Sequence, residues 1–257
     1  MMMMMIDKNY NENCLDTMAR MEDNYIDLTV TSPPYDNLRT YNGYSFDFES
    51  IAKELYRTTK EGGVVVWVVG DATIKGSESG TSFKQALFFK ECGFNLHDTM
   101  IYRKTKIIPM DYKCSRYYQG FEYMFVFSKG KPKTCNYIKI KSKHAGKKAI
   151  SINRMSNGDM RKDRVEKQKN RVVSEMKTKD NVWSYGSKSI KGHPAIFPEQ
   201  LVTDHIISWS NEGDLVYDCF MGSGTTAKMA IINNRNWIGS EMSSEYCEII
   251  EERINNG

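Results

Sequence analysis

Short apolar runs alternate with amphipathic stretches along most of the chain. Ile26 to Val30 reads as a strand. Val64-Val-Val-Trp-Val-Val69 is a near-continuous β-branched run, as expected of a strand buried on both faces of a parallel sheet. Phe94–Tyr102 and Phe121–Ser128 read as further strands, the latter placing Phe121, Tyr123, Phe125 and Phe127 on one face. Leu215–Cys219 and Trp237–Ser240 complete the set, with a weaker strand within residues 4–10. Helical spacing marks Asn13–Met21, with Leu15, Met18 and Met21 on one face. It also marks Phe48–Lys60, with Ile51 and Leu55 inward, ended by Glu61-Gly62-Gly63 as glycine ends helices. Residues 81–92 form a helix stopped by Gly93. A helix reaching Trp209 accommodates Pro198 in its first turn. Thr225–Asn233 and Ser243–Ile254 follow, the last capped by Ser243 or Ser244.

This alternation predicts an α/β fold: an open, doubly wound, mostly parallel sheet with ligands at the carboxyl ends of its strands. No strand follows the last helix. The weak strand at residues 4–10 fills that place if the two termini lie side by side.

Residues 131–192 break the pattern. They show no sustained periodicity and are too long for a structureless loop in a compact domain, so they are either disordered alone or a small recognition module. Charge sharpens this reading. The whole chain carries +4, but residues 131–192 hold 18 Lys/Arg against 5 Asp/Glu, a net of +13, which leaves −9 on the rest. A basic segment on a mildly acidic body is the electrostatic footprint of a nucleic-acid binder. A merely solvated basic loop is the plain alternative; Tyr137, Trp183 and Tyr185 within the segment weigh against it. The polar and aromatic stretch Asp36–Asp47 reads as a loop over the site.

At 257 residues the chain can bury a real core as one large domain with an insertion. No apolar run approaches the ~20 residues of a membrane span, so no membrane association is expected. Met1–Met5 is short and lacks a basic stretch or a cleavage-like site, so no signal peptide is expected. The cysteines at 14, 92, 114, 135, 219 and 247 are scattered, without a C-x-x-C pair. Neither a disulfide framework nor a metal site is indicated, and a reduced, cytoplasmic setting fits.

Two stretches carry chemistry. The strand at Ile26–Val30 runs into Thr31-Ser32-Pro33-Pro34-Tyr35. The prolines have fixed φ and no N–H, so the strand stops in a stiff corner with outward carbonyls, a serine before it and an aromatic ring after it. That corner suits a flat, amino-bearing base; a Pro-Pro turn with a buried Tyr is the plain alternative. Near the other end, Asp218-Cys-Phe-Met-Gly222-Ser-Gly224-Thr-Thr226 lies between a strand and a helix. Its glycines let backbone turn close to a ligand. A P-loop needs a Lys that is not placed here, and a dinucleotide fold needs a third Gly where Ala227 stands. The following strand ends in Glu241, where an acidic residue can hold ribose hydroxyls.

Together, Ser32-Pro-Pro-Tyr35 and Phe220-Met-Gly222-Ser-Gly224 resemble the DNA amino-methyltransferases, which methylate the exocyclic nitrogen of adenine or cytosine with S-adenosylmethionine. The order, catalytic motif first and cofactor loop last, resembles the permuted β class. The resemblance implies a circularly permuted methyltransferase fold: a catalytic half over residues 1–130, a basic target-recognition insertion over 131–192, and a cofactor-binding half over 193–257. It implies that Ser32, Pro33, Pro34 and Tyr35 are catalytic. It assigns Asp218, Phe220, Gly222, Ser223, Gly224, Thr225, Thr226 and Glu241 to the cofactor, with Asp218 and Thr225 at its methionine part, Phe220 near the sulfonium and Glu241 on the ribose. Phe197 is similar to a family position that packs on the cofactor. Glu12-Asn13-Cys14 stands where many members have Gly-Asp-Cys, so Asn13 takes the place of the Asp toward the adenine ring. Gly120–Gly130 resembles a segment beside the target-base pocket.

In that frame Ser32 and the Pro33 carbonyl accept from the amine, localising its lone pair, and Tyr35 stacks on a base flipped out of the duplex. No cysteine nucleophile is required, and the absence of Pro-Cys disfavours methylation at carbon 5. Ser-Pro-Pro is commoner among N4-cytosine enzymes, so cytosine N4 is expected slightly ahead of adenine N6. Double-stranded DNA is the expected partner, through 131–192; a homodimer and a cognate restriction enzyme are left open. The rivals are an RNA methylase, a catalytically silent DNA-binding module on the same fold, and an ATP- or NAD-dependent enzyme.

Overall fold

The computed structural model describes residues 4–34, 46–106, 116–148, 171–186 and 197–255. The chain forms two compact units, a larger one of residues up to Asn136 and from Asn181 onward, and a smaller one of Tyr137–Asp180.

The larger unit contains, in order, β1 (Lys8–Tyr10), α1 (Cys14–Ala19), β2 (Ile26–Thr31), α2 (Phe48–Thr58), β3 (Thr59–Val69), β4 (Thr73–Ile74), β5 (Ser77–Glu78), α3 (Thr81–Glu91), β6 (Asn95–Lys104) and β7 (Phe121–Ser128). The smaller unit contributes β8 (Lys139–Lys141) and β9 (Met176–Thr178). The larger then resumes with β10 (Val182–Tyr185), α4 (Glu199–Trp209), β11 (Leu215–Asp218), α5 (Thr225–Ile232), β12 (Asn236–Ser240) and α6 (Ser244–Asn255). Eight strands form one sheet in the order β1-β12-β11-β2-β3-β7-β6-β10. Every neighbouring pair is parallel except the two that involve β7. The edge beyond β12 is taken by β1, with Lys8 opposite Ile238 and Tyr10 opposite Ser240.

Strand alternation divides β3 between two layers. Val65, Trp67 and Val69 join a core with Met18, Ile51, Leu55, Phe89 and Phe127 from α1, α2, α3 and β7. Val64, Val66 and Val68 are equally buried and face the other way, where α4 packs on β2 and β3. The one-faced row of β7 is present as predicted: Tyr123 stacks on Phe125 at 5.3 Å, and Phe125 lies 6.1 Å from Phe127.

Two elements differ from expectation. Glu61-Gly62-Gly63 does not end a helix. α2 stops at Thr58, where the Thr58 and Thr59 hydroxyls donate back to the carbonyls of Glu54 (2.8 Å) and Leu55 (2.5 Å). β3 then runs through the glycines. Its register against β2 slips between Ile26 and Leu28, and Gly62 lies in the slip at φ +79°. A Cβ on Gly63 would meet the Asp27 carbonyl at 3.0 Å, so glycine here serves a bulge and a close strand approach. The second difference is β10, a strand inside the basic stretch that extends the sheet beyond β6.

Among the described residues no helix is long and apolar enough to cross a membrane, and no cluster of His, Cys, Asp and Glu could hold a metal ion.

Candidate active site

The parallel strands β12, β11, β2 and β3 end on one edge of the sheet, and the conspicuous motifs emerge there. β2 lies between β11 and β3, with Thr29 opposite Tyr217 and Thr31 opposite Trp67. Ser32, Pro33 and Pro34 follow Thr31 directly; Pro33 is buried and its neighbours half-buried. Tyr35 lies outside the described residues.

One buried carboxylate joins this corner to the glycine loop. Asp218 ends β11 and is 2% exposed. Its Oδ1 accepts from the Thr31 hydroxyl at 2.6 Å and from the Phe220 N–H at 3.0 Å. Its Oδ2 accepts from the Thr226 hydroxyl at 2.6 Å. Burial pushes the Asp218 carboxyl above its ordinary value, opposed by the bonds from Thr226, Thr31 and Phe220.

The loop itself is tightly fixed. The Met221 N–H donates to the Ser240 carbonyl (3.0 Å), the Gly222 N–H to Glu241 Oε2 (2.8 Å), and the Gly224 N–H to the Met221 carbonyl (3.0 Å). Glu241 Oε1 accepts from the Ser243 N–H at 2.8 Å, at the entry to α6. Burial raises the Glu241 carboxyl as well. Gly224 caps α5 at φ +79°, and a Cβ there would lie 3.1–3.3 Å from the fully buried Ile250. Left-handed backbone costs an L-residue about 1–2 kcal/mol. Gly224→Ala is therefore expected to lower stability by at least that much, as thermal melting would show.

Phe220 packs edge-on against Trp67 (6.1 Å) and Phe46 (5.7 Å), and Trp67 donates its indole N–H to Gln85 Oε1 at 2.9 Å. Phe220 is half-buried, so one part of the ring anchors in the core and the rest borders the loop. Ser223 and Thr225 are buried and accept hydrogen bonds from Arg253 of α6. At the neighbouring strand end the Glu241 N–H donates to the Tyr10 carbonyl (3.0 Å), and Asn11 Nδ2 to the Glu241 and Met242 carbonyls. Asn13 caps α1, its side-chain oxygen accepting from the Leu15 N–H at 2.9 Å. Phe197 is half-buried two residues before α4. Burial pushes the Cys14 thiol up to about 12 and the Cys219 thiol well above its ordinary value.

Sequence reasoning missed Thr31, Trp67 and Arg253. Thr31 had a weak signal, a polar residue at an inward strand position beside the motif. Arg253 had none, standing among other charges in α6.

The family model of the N6/N4 DNA methylases matches residues 26–252. The chain belongs to that family. Among its relatives is the orphan methyltransferase M.BamHII of Bacillus amyloliquefaciens, 58% identical over 244 residues, covering 90% of this chain and 89% of the relative. The fold matches the cytosine-N4-specific PvuII DNA methyltransferase with a TM-score of 0.71 at 24% identity, over 96% of this chain and 85% of that one. It also matches M1.HpyAVI in its SAM complex with a TM-score of 0.61 at 21% identity, over 96% and 98% of the two chains. Methylases of this family act on DNA and depend on S-adenosylmethionine.

Proposed function

We propose that this methylase transfers a methyl group from S-adenosylmethionine to the exocyclic amine of a base flipped out of double-stranded DNA, cytosine N4 ahead of adenine N6. The observation that carries this reading is Asp218, whose three hydrogen bonds tie the Ser32-Pro33-Pro34 corner to the glycine loop. An acceptor corner for an amine and a close-approach loop for a cofactor are thereby held at one sheet edge.

The residues fit the cofactor. Glu241 accepts backbone N–H groups on both oxygens, and the remaining acceptor capacity of a carboxylate suits a ribose hydroxyl. The Phe220 face suits a sulfonium, since an aromatic ring attracts positive charge. S-adenosylmethionine supplies an activated methyl group with a good leaving group. The chain's own residues do the rest. Ser32 Oγ and the Pro33 carbonyl accept the amine hydrogens, Tyr35 stacks on the base, and position and electrostatics lower the barrier. We assign Gly222, Ser223, Gly224, Thr225 and Thr226 to the loop that encloses the cofactor, with Phe197 and Asn13 at its margins. We read the chain order as permuted, with β1 completing the sheet beside β12. The lean to cytosine rests on Ser32, a neutral acceptor where adenine enzymes more often have Asp.

We assign target recognition to the basic insertion and its lysines. In the smaller unit Lys139, Lys141, Lys143, Lys147, Lys148, Lys177 and Arg171 are all exposed. DNA affinity is expected to fall steeply with salt. Replacing Lys139, Lys141 and Lys177 by Gln should flatten the log–log slope by roughly 0.9 per lost phosphate contact, measured by fluorescence anisotropy. An unchanged slope assigns the phosphate contacts elsewhere. We place the enzyme in the cytoplasm with its DNA. The name of the 58% relative, an orphan methyltransferase, favours an enzyme without a cognate restriction partner; a homodimer is compatible with the mechanism but not needed by it.

Transfer of labelled methyl from S-adenosylmethionine to duplex DNA, with RNA in parallel, tests the reading. Label in DNA is expected. Label confined to RNA, or cofactor binding without any transfer, overturns it.

A further inference from the structure

We propose that Arg253 is a positioning residue for the cofactor loop and sets cofactor affinity from behind it. The proposal rests on the reading of residues 218–226 as the S-adenosylmethionine loop.

The last turn of α6 carries the guanidinium to the loop. Nη1 donates to the Ser223 carbonyl at 2.6 Å, to Ser223 Oγ at 2.9 Å and to Thr225 Oγ1 at 3.2 Å. Nη2 reaches Glu199 Oε1 at 3.3 Å. Lys228 of α5 lies 3.5 Å from the same Glu199 oxygen. Glu199 begins α4, two residues after Phe197. One cation thus connects the loop to helices α4, α5 and α6. Its side chain is 13% exposed and Ser223 and Thr225 are buried, so its charge-assisted bonds to them are better shielded from water than the one to Glu199, which is 35% exposed.

The effect falls on one peptide unit. The Ser223–Gly224 peptide is held at both ends, its carbonyl by Arg253 and its N–H by the Met221 carbonyl. That fixes the entry to Gly224 at φ +79° and the start of α5. A loop held in its binding shape loses less freedom when ligand arrives. Without the guanidinium the sheet is unchanged, but this peptide must be ordered at the binding step. Lysine, a point charge on a flexible stem, cannot serve the Ser223 oxygens and Glu199 with one planar fork.

The test is calorimetric titration of S-adenosylmethionine into the full chain, beside steady-state kinetics, melting curves and cofactor-free DNA binding. Arg253→Met is expected to raise the cofactor Kd roughly 10- to 50-fold, with kcat at saturating cofactor within about threefold of wild type and DNA affinity unchanged. Arg253→Lys should recover part of the loss. Glu199→Gln, which loosens the guanidinium without touching the loop, should raise Kd by about two- to fivefold and decides the matter if Arg253→Met does not fold. A lowered melting temperature with Kd within about twofold of wild type in the folded variants makes Arg253 a structural staple and overturns the proposal. No binding by the wild-type chain overturns the loop reading itself, a result distinct from equal binding by wild type and variants.

Discussion

Asp218→Ala is expected to reduce methyl transfer at saturating cofactor by about 100-fold or more, because a displacement of about 1 Å at a reacting centre costs that much. Asp218 accepts from Thr31, Thr226 and the Phe220 N–H at 2.6, 2.6 and 3.0 Å. Truncation takes this partner from two buried hydroxyls and one half-buried N–H, and a buried orphan costs about 1–3 kcal/mol. Thr31 immediately precedes Ser32, so the acceptor corner loses its anchor as the loop loses its own. The melting temperature should fall with activity. Asp218→Asn separates geometry from charge. Its oxygen can take the place of Oδ1, and its amide can donate to the Thr226 hydroxyl, which then turns its own hydrogen toward the Val30 carbonyl 3.5 Å away. The Asn variant should therefore melt near wild type and keep activity within about tenfold, since hydroxyls donate and accept. Equal losses in both variants would mean that the negative charge, not the hydrogen-bond bridge, matters.

Glu241→Ala is expected to weaken S-adenosylmethionine binding by about 100-fold, or about 2.7 kcal/mol, with a much smaller change in kcat once cofactor saturates. Here the amide substitution should give no rescue. Both Glu241 oxygens accept from backbone N–H groups, Gly222 at 2.8 Å and Ser243 at 2.8 Å. A backbone N–H cannot turn round and accept, so the NH2 of Glu241→Gln would face a donor. Gln should bind cofactor nearly as poorly as Ala. The contrast with Asp218→Asn follows only from whether the partners are hydroxyls or amides, and titration of both pairs of variants checks it. A Gln variant with wild-type affinity would remove the carboxylate from the account of the loop.

Much of the fold was legible because burial on both faces writes itself as β-branched runs. Val64–Val69 and the aromatic alternation of β7 were found where the pattern put them. Glycine misled at Gly62-Gly63 because the same backbone freedom serves a helix stop and a strand bulge. Register against Asp27 decides between them, and register is not local. β10 escaped because Val182–Tyr185 is four residues long, with only Trp183 and Tyr185 buried, inside a stretch dominated by charge. The site divides the same way. Contiguous motifs announced the Ser32 corner and the glycine loop. The bond joining them spans 187 residues, and the Arg253 support comes from 30 residues beyond Ser223. Such contacts exist only once the strands are ordered side by side.

The most direct test of amino-group methylation is mass spectrometry of nucleosides from unmethylated duplex DNA incubated with the enzyme and S-adenosylmethionine. N4-methylcytosine is the predicted product. N6-methyladenine would keep the reaction and reverse the assignment drawn from Ser32. DNA that gains 5-methylcytosine, or no methylated base while the enzyme binds cofactor and duplex, would contradict the account.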